Sequence, residues 1–133
     1  MPTDDRPPAG ATLRALAADV VCLVVFATIG RRSHAEGLSV SGIAETAWPF
    51  VTGAGVGWLL SRGWRRPTSL APTGVVVWVC TVAVAMLLRK VTSQGTAASF
   101  IVVASLTTAA LLLGWRAAVG LKSRRRNAAA ANP

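Results

Sequence analysis

Charge is scarce in this chain of 133 residues, with Asp, Glu, Lys and Arg together making up 14%, where soluble domains carry about 25%. With a hydrophobic share of 53%, too few charges remain to keep a protein surface wet. Histidine occurs once, at His34, and acids only five times, so little is present from which acid–base catalysis is built. The two cysteines, Cys22 and Cys80, show no Cys-x-x-Cys or Cys/His spacing that would imply a metal or redox pair. In apolar surroundings each behaves as a small hydrophobe. There is no Gly-x-Ser-x-Gly, no phosphate-cradling loop and no carboxylate pair on one helix. No catalytic residue, cofactor or metal is therefore assigned, and the chain reads as non-enzymatic.

What the sequence does contain is long apolar runs. A helix rising about 1.5 Å per residue needs roughly 20 apolar residues to cross a hydrocarbon core of about 30 Å. Four segments meet this: residues 13–30, 43–61, 70–88 and 97–115. A soluble helix shows a polar face at the 3.6-residue period, yet Val75-Val76-Val77-Trp78-Val79-Cys80 and Ile101-Val102-Val103-Ala104 are apolar all round. Barrel strands alternate polar and apolar residues; these runs do not. The first run is too interrupted by Asp19 for a cleaved signal peptide, although Val25-Phe26-Ala27 loosely resembles a cleavage site. The expected fold is all-α, a polytopic membrane protein with four transmembrane helices in a bundle.

Basic residues bracket these runs, a distribution that argues against nucleic acid despite the net charge of +9. With four spans, one side carries Arg6, Arg14, Arg62, Arg65, Arg66, Arg116, Lys122, Arg124, Arg125 and Arg126, and the other carries Arg31, Arg32, Arg89 and Lys90. The positive-inside bias then puts both termini in the cytoplasm. Trp64 and Trp115 would sit at that rim and Trp48 at the outer one. The preference for Arg over Lys and the abundance of Ala, Val and Gly suggest a GC-rich bacterial genome and a plasma membrane location. Residues 1–11 and 117–133 read as a flexible N-terminal tail and a basic, disordered C-terminal tail flanking a membrane domain at 12–116.

Several residues stand out as candidates. Asp19 is an acid inside a span, and such a group faces a partner or a water-filled cavity. It is either a proton or cation site or a structural partner of Arg14, Arg116 or a loop arginine. Arg31, Arg32, His34, Glu45 and Arg89 could form an outer polar cluster for an anionic solute or head group. The alternative is that the arginines complement helix C-termini and Glu45 a helix N-terminus. Gly53 and Gly57 form a Gly-x-x-x-Gly pair suited to close helix packing, within the chain or with a second copy. Pro49 is placed to kink the second span. Lys122, Arg124, Arg125 and Arg126 should attract anionic lipid at about 1 kcal/mol each.

Phe26-Ala27-Thr28-Ile29-Gly30-Arg31-Arg32-Ser33-His34, Trp48-Pro49-Phe50, the Trp78 span ending at Arg89, and Phe100 with Gly114-Trp115-Arg116 together resemble a family of small, mainly actinobacterial membrane proteins of unknown function. The resemblance covers residues 16–116. It implies a four-span membrane protein and carries no activity or functional residues with it. Small multidrug exporters also have four spans and an acid in the first, but here the acid is an aspartate displaced toward the cytoplasm. The glycine-rich arginine motif of four-span fluoride channels is absent. Two functions remain open: an accessory subunit of a membrane complex, whose protein partner or second copy contacts the glycine face or the outer arginines, and a small transporter or channel with Asp19 and the outer arginines lining its path.

Overall fold

The computed structural model describes residues 8–33 and 38–131. The described chain forms four long helices: α1 at Ala9–Ser33, α2 at Val40–Ser61, α3 at Val75–Val91 and α4 at Ala98–Ala131. Contacts fix their directions. Arg31 near the end of α1 meets Thr46 near the start of α2, Gly57 of α2 faces Val77 of α3 while Gly53 faces Thr81, and Trp78 of α3 donates to the Ser105 carbonyl of α4 at 3.0 Å. Consecutive helices are thus antiparallel, and Cys22 with Leu111 brings α1 back against α4.

Local chemistry explains most of the ends. Ser39 caps α2, its Oγ accepting the Gly42 amide at 3.0 Å, one of the otherwise unpartnered donors of a first turn. This start lies three residues before the expected one and moves Glu45 out of the first turn, so Ser39 does the work assigned to the acid. Arg31 and Arg32 occupy the last turn of α1, and Arg89 and Lys90 that of α3, where cations complement the helix dipole. Before α3 an irregular turn, Leu70–Gly74, contains Ala71 in extended backbone. Pro49 lies inside α2, which runs on through it as a single helix.

α4 differs most from expectation. In place of the disordered tail expected from residue 117, the helix continues to Ala131, with residues 117–130 exposed. Lys122, Arg124 to Arg126 and the alanines after them are strong helix formers, and neither Gly nor Pro interrupts them. At about 1.5 Å per residue, its 34 residues exceed a hydrocarbon core by well over a third. α1 likewise begins at Ala9, inside the expected N-terminal tail.

Among the described residues, three stretches are long and apolar enough to cross a membrane: Ala9–Arg32, Leu70–Val91 and Ala98–Ala130. α2, at 22 residues, has the length and is less apolar, because Glu45, Thr46, Pro49, Thr52 and four glycines dilute it. It is also well shielded, burying Ala47, Phe50, Gly53, Ala54, Gly57 and Trp58 against α1 and α3. On the outside, Val24, Val25, Ile29, Val79, Leu87, Val102, Val103 and Leu106 are exposed, and large apolar surface left bare in this way marks contact with lipid or protein. Lipid tails are the solvent that suits it.

The core is small and has two clamps. Toward one end the chain's three phenylalanines stack edge to face. Phe26 and Phe50 lie 4.9 Å apart and Phe50 and Phe100 6.5 Å, joining α1, α2 and α4. Arg89 of α3 lies over Phe100 at 4.3 Å, within cation–π range. The polar clamp at the other end is the candidate site.

Candidate functional site

Asp19 is fully buried and held by α1 at the centre of four helix-borne donors. Arg116 of α4 grips it in a fork, Nη1 donating to Oδ1 at 2.8 Å and Nη2 to Oδ2 at 2.7 Å. Trp58 of α2 donates its indole N–H to Oδ2 at 2.8 Å, and Trp115 of α4 donates to Oδ1 at 2.9 Å. A carboxylate offers about four lone-pair sites. All four are filled.

The guanidinium is nearly as well satisfied. Its Nε donates to the Pro67 carbonyl at 3.1 Å and Nη1 also donates to the Leu112 carbonyl at 3.1 Å. Pro67 belongs to the segment joining α2 to α3, which therefore folds over the pair and closes it. Two glycines permit this approach: a Cβ on Gly63 would meet the Trp58 ring at 2.5 Å, and one on Gly74 would meet Arg116 Cδ at 2.9 Å. Three helices and a loop thus converge on one ion pair.

Isolated charges cost several kcal/mol each to bury, and here the charges are mutually compensated with nearly every polar atom hydrogen-bonded. The arrangement supplies direction and cross-linking. It leaves the carboxylate no free lone pair for a transported ion. Trp115→Phe keeps an aromatic ring and removes one donor to a charged group, so the melting curve of the detergent-solubilised variant should show a loss of about 1.5–3 kcal/mol.

Of the arginines expected as partners for Asp19, Arg116 is the one paired with it. Arg14 lies on its own helix. Trp58 and Trp115 were not legible as partners: Trp115 reads as a rim anchor, yet its indole turns inward. The available signal was weak. An acid that near one face requires donors at the same depth on other helices, and Trp58, Trp115 and Arg116 occupy that depth.

The outer candidates meet different partners. Arg31 donates to Thr46 Oγ1 at 3.2 Å and packs over Gly42. Arg89 donates from Nε to the Gly95 carbonyl at 2.9 Å and from Nη1 to Gln94 Oε1 at 3.0 Å. Arg32 and Glu45 are exposed, and His34 lies outside the described residues. The described contacts of Arg31 and Arg89 fasten helix ends. Gly53 and Gly57 are covered by α3: a Cβ would fall 2.7 Å from the Cys80 carbonyl oxygen and 2.6 Å from Val77 Cα, respectively. That glycine face is taken within the chain.

No curated protein and no solved structure matches the chain. Residues 16–119, from just before Asp19 to just beyond Arg116, match the family described as "Protein of unknown function (DUF3054)". The whole polar clamp lies inside that match, and the chain belongs to this family.

Proposed function

We propose that the chain is a non-enzymatic, four-span protein of a bacterial plasma membrane, a four-helix bundle with both termini in the cytoplasm, acting as an accessory subunit of a membrane complex. The observation that carries this reading is the saturation of Asp19. A transporter or channel needs an intramembrane group that exchanges partners with solvent or cargo. Here the only described acid of the polar clamp is closed over by Arg116, two indoles and the α2–α3 segment.

The charge asymmetry of ten basic residues against four supports the orientation. The 22-residue length of α2 and its antiparallel packing between α1 and α3 support it as a crossing helix. The helical extension beyond Arg116 then stands at the cytoplasmic surface. There Lys122, Arg124, Arg125 and Arg126 draw it to anionic lipid. A protein partner has the outward faces of the bundle to contact, since the Gly53 and Gly57 face is filled by α3.

Two experiments test this. Reporters active on only one side of the membrane, fused separately to each terminus, should both report cytoplasm; opposite compartments would rule out four spans. Vesicles containing the purified protein should show no more proton or cation flux than empty vesicles, and Asp19→Asn should leave that baseline unchanged. Flux in the parent that vanishes in the variant would establish the transport reading instead.

A further inference from the structure

On the same side of the protein as the polar clamp, between the end of α2 and the start of α3, lies a cavity of about 300 Å³ lined by Ser61, Arg62, Arg65, Arg66, Pro72 and Thr73. Three arginines line it and no carboxylate does. Their backbones hydrogen-bond within the turn, but none of the three guanidinium groups hydrogen-bonds another described residue. Two hydroxyls, Ser61 Oγ and Thr73 Oγ1, are buried there without a hydrogen-bond partner, and Thr73 is only 1% exposed. Buried hydroxyls are normally paired, and each exception calls for an explanation. A positively charged cavity with two idle hydroxyl donors is chemically complementary to an oxygen-rich anion.

We propose that this cavity binds a phosphate group. The arginines would supply charge and forked donors suited to phosphate oxygens, while Ser61 and Thr73 would each donate one hydroxyl hydrogen to the same group. Water in bulk takes about 30 Å³ per molecule, so the space admits a phosphate with part of its hydration shell. Its position also agrees with such a role. Arg62 caps α2 in the left-handed conformation, at φ 53 and ψ 52, where glycine is the usual occupant; an arginine there places a cation at the cavity mouth. The cavity lies where α2 ends and the segment leading to α3 begins, so the phosphate is either that of a lipid head group or a free one. Phosphate recognition by this cavity stands apart from the accessory-subunit reading and from the number of spans.

The test is equilibrium dialysis of radiolabelled inorganic phosphate against the full-length protein in a detergent with an uncharged head group. The parent should bind saturably at one site. Thr73→Val conserves shape and removes one donor, and should weaken binding about tenfold or more while the variant melts at the same or a higher temperature than the parent. Arg65→Ala/Arg66→Ala, at exposed positions, should abolish binding and keep the helical circular dichroism. Water-soluble dihexanoyl phosphatidylglycerol is then added as competitor. Displacement at concentrations below those of unlabelled phosphate assigns the site to a head group, and failure to displace assigns it to free phosphate. Absence of saturable binding in the parent overturns the proposal, as does binding that is equal in the parent and Thr73→Val, since diffuse attraction to arginines would not sense one buried hydroxyl.

Discussion

Asp19→Ala and Arg116→Met should each destabilise the detergent-solubilised protein by about 3–5 kcal/mol, the range for breaking a buried ion pair from one side. The magnitude follows from what each change strands. Without Asp19, the guanidinium keeps its bonds to the Pro67 and Leu112 carbonyls but loses its only anion, in a site closed to water. Two indole donors, Trp58 and Trp115, lose their acceptor as well. Without Arg116, a fully buried carboxylate retains two neutral donors and no countercharge. Thermal or denaturant unfolding followed by circular dichroism reads the loss, and Asp19→Asn should fall between Asp19→Ala and the parent.

Gly57→Leu should have an effect of comparable size, by a different route. Even a Cβ at that position would stand 2.6 Å from Val77 Cα, and at Gly53 it would stand 2.7 Å from Thr81 Cα. Backbone cannot rotate aside as a side chain can, so α2 must move off α3 along their whole interface. Overpacking usually costs about 1–3 kcal/mol; a clash with main chain at the centre of the helix pair should exceed that and reduce the yield of folded protein. Gly55 provides the control within the same helix. A Cβ there meets nothing within 4 Å, so Gly55→Ala should be neutral or stabilise by about 0.5–1 kcal/mol through helix propensity, whereas Gly57→Ala destabilises. The same chemical change two residues apart should carry opposite signs on melting. Equal effects at both positions would remove the close-packing explanation.

Much of the architecture is legible in the sequence, because helices that face lipid announce themselves by length and composition. The expected segments 13–30, 43–61, 70–88 and 97–115 lie within or largely overlap the helices observed. Their ends extend farther where capping or propensity allows, as at Ser39 and along Lys122 to Ala131. Which face of each helix points inward is far less legible. In water the polar face marks the outside, but in Val20 to Val25 or Ile101 to Val103 both faces are apolar, and periodicity identifies no core.

The same limitation hides the site. Asp19 is conspicuous because a charge among apolar residues has no other explanation than a partner or a path. Its partner Arg116 lies 97 residues away, and nothing local distinguishes it from Arg14 or the loop arginines. Trp58 and Trp115 are less visible still, since an indole near a helix end has an ordinary reading as an interfacial anchor. The Arg65 and Arg66 cavity depends on a turn at Leu70–Gly74 that buries Thr73, and an isolated Thr beside a proline gives no sign of it.

The Asp19–Arg116 double-mutant cycle tests the central claim most directly: unfolding free energies of the parent, Asp19→Leu, Arg116→Met and the double variant, measured in one detergent. If the pair is a closed structural clamp, the double variant should be markedly more stable than the sum of the singles implies, because removing both charges leaves neither stranded. A double variant whose loss equals that sum would mean that the two residues do not act on each other, and the account of the clamp would be wrong.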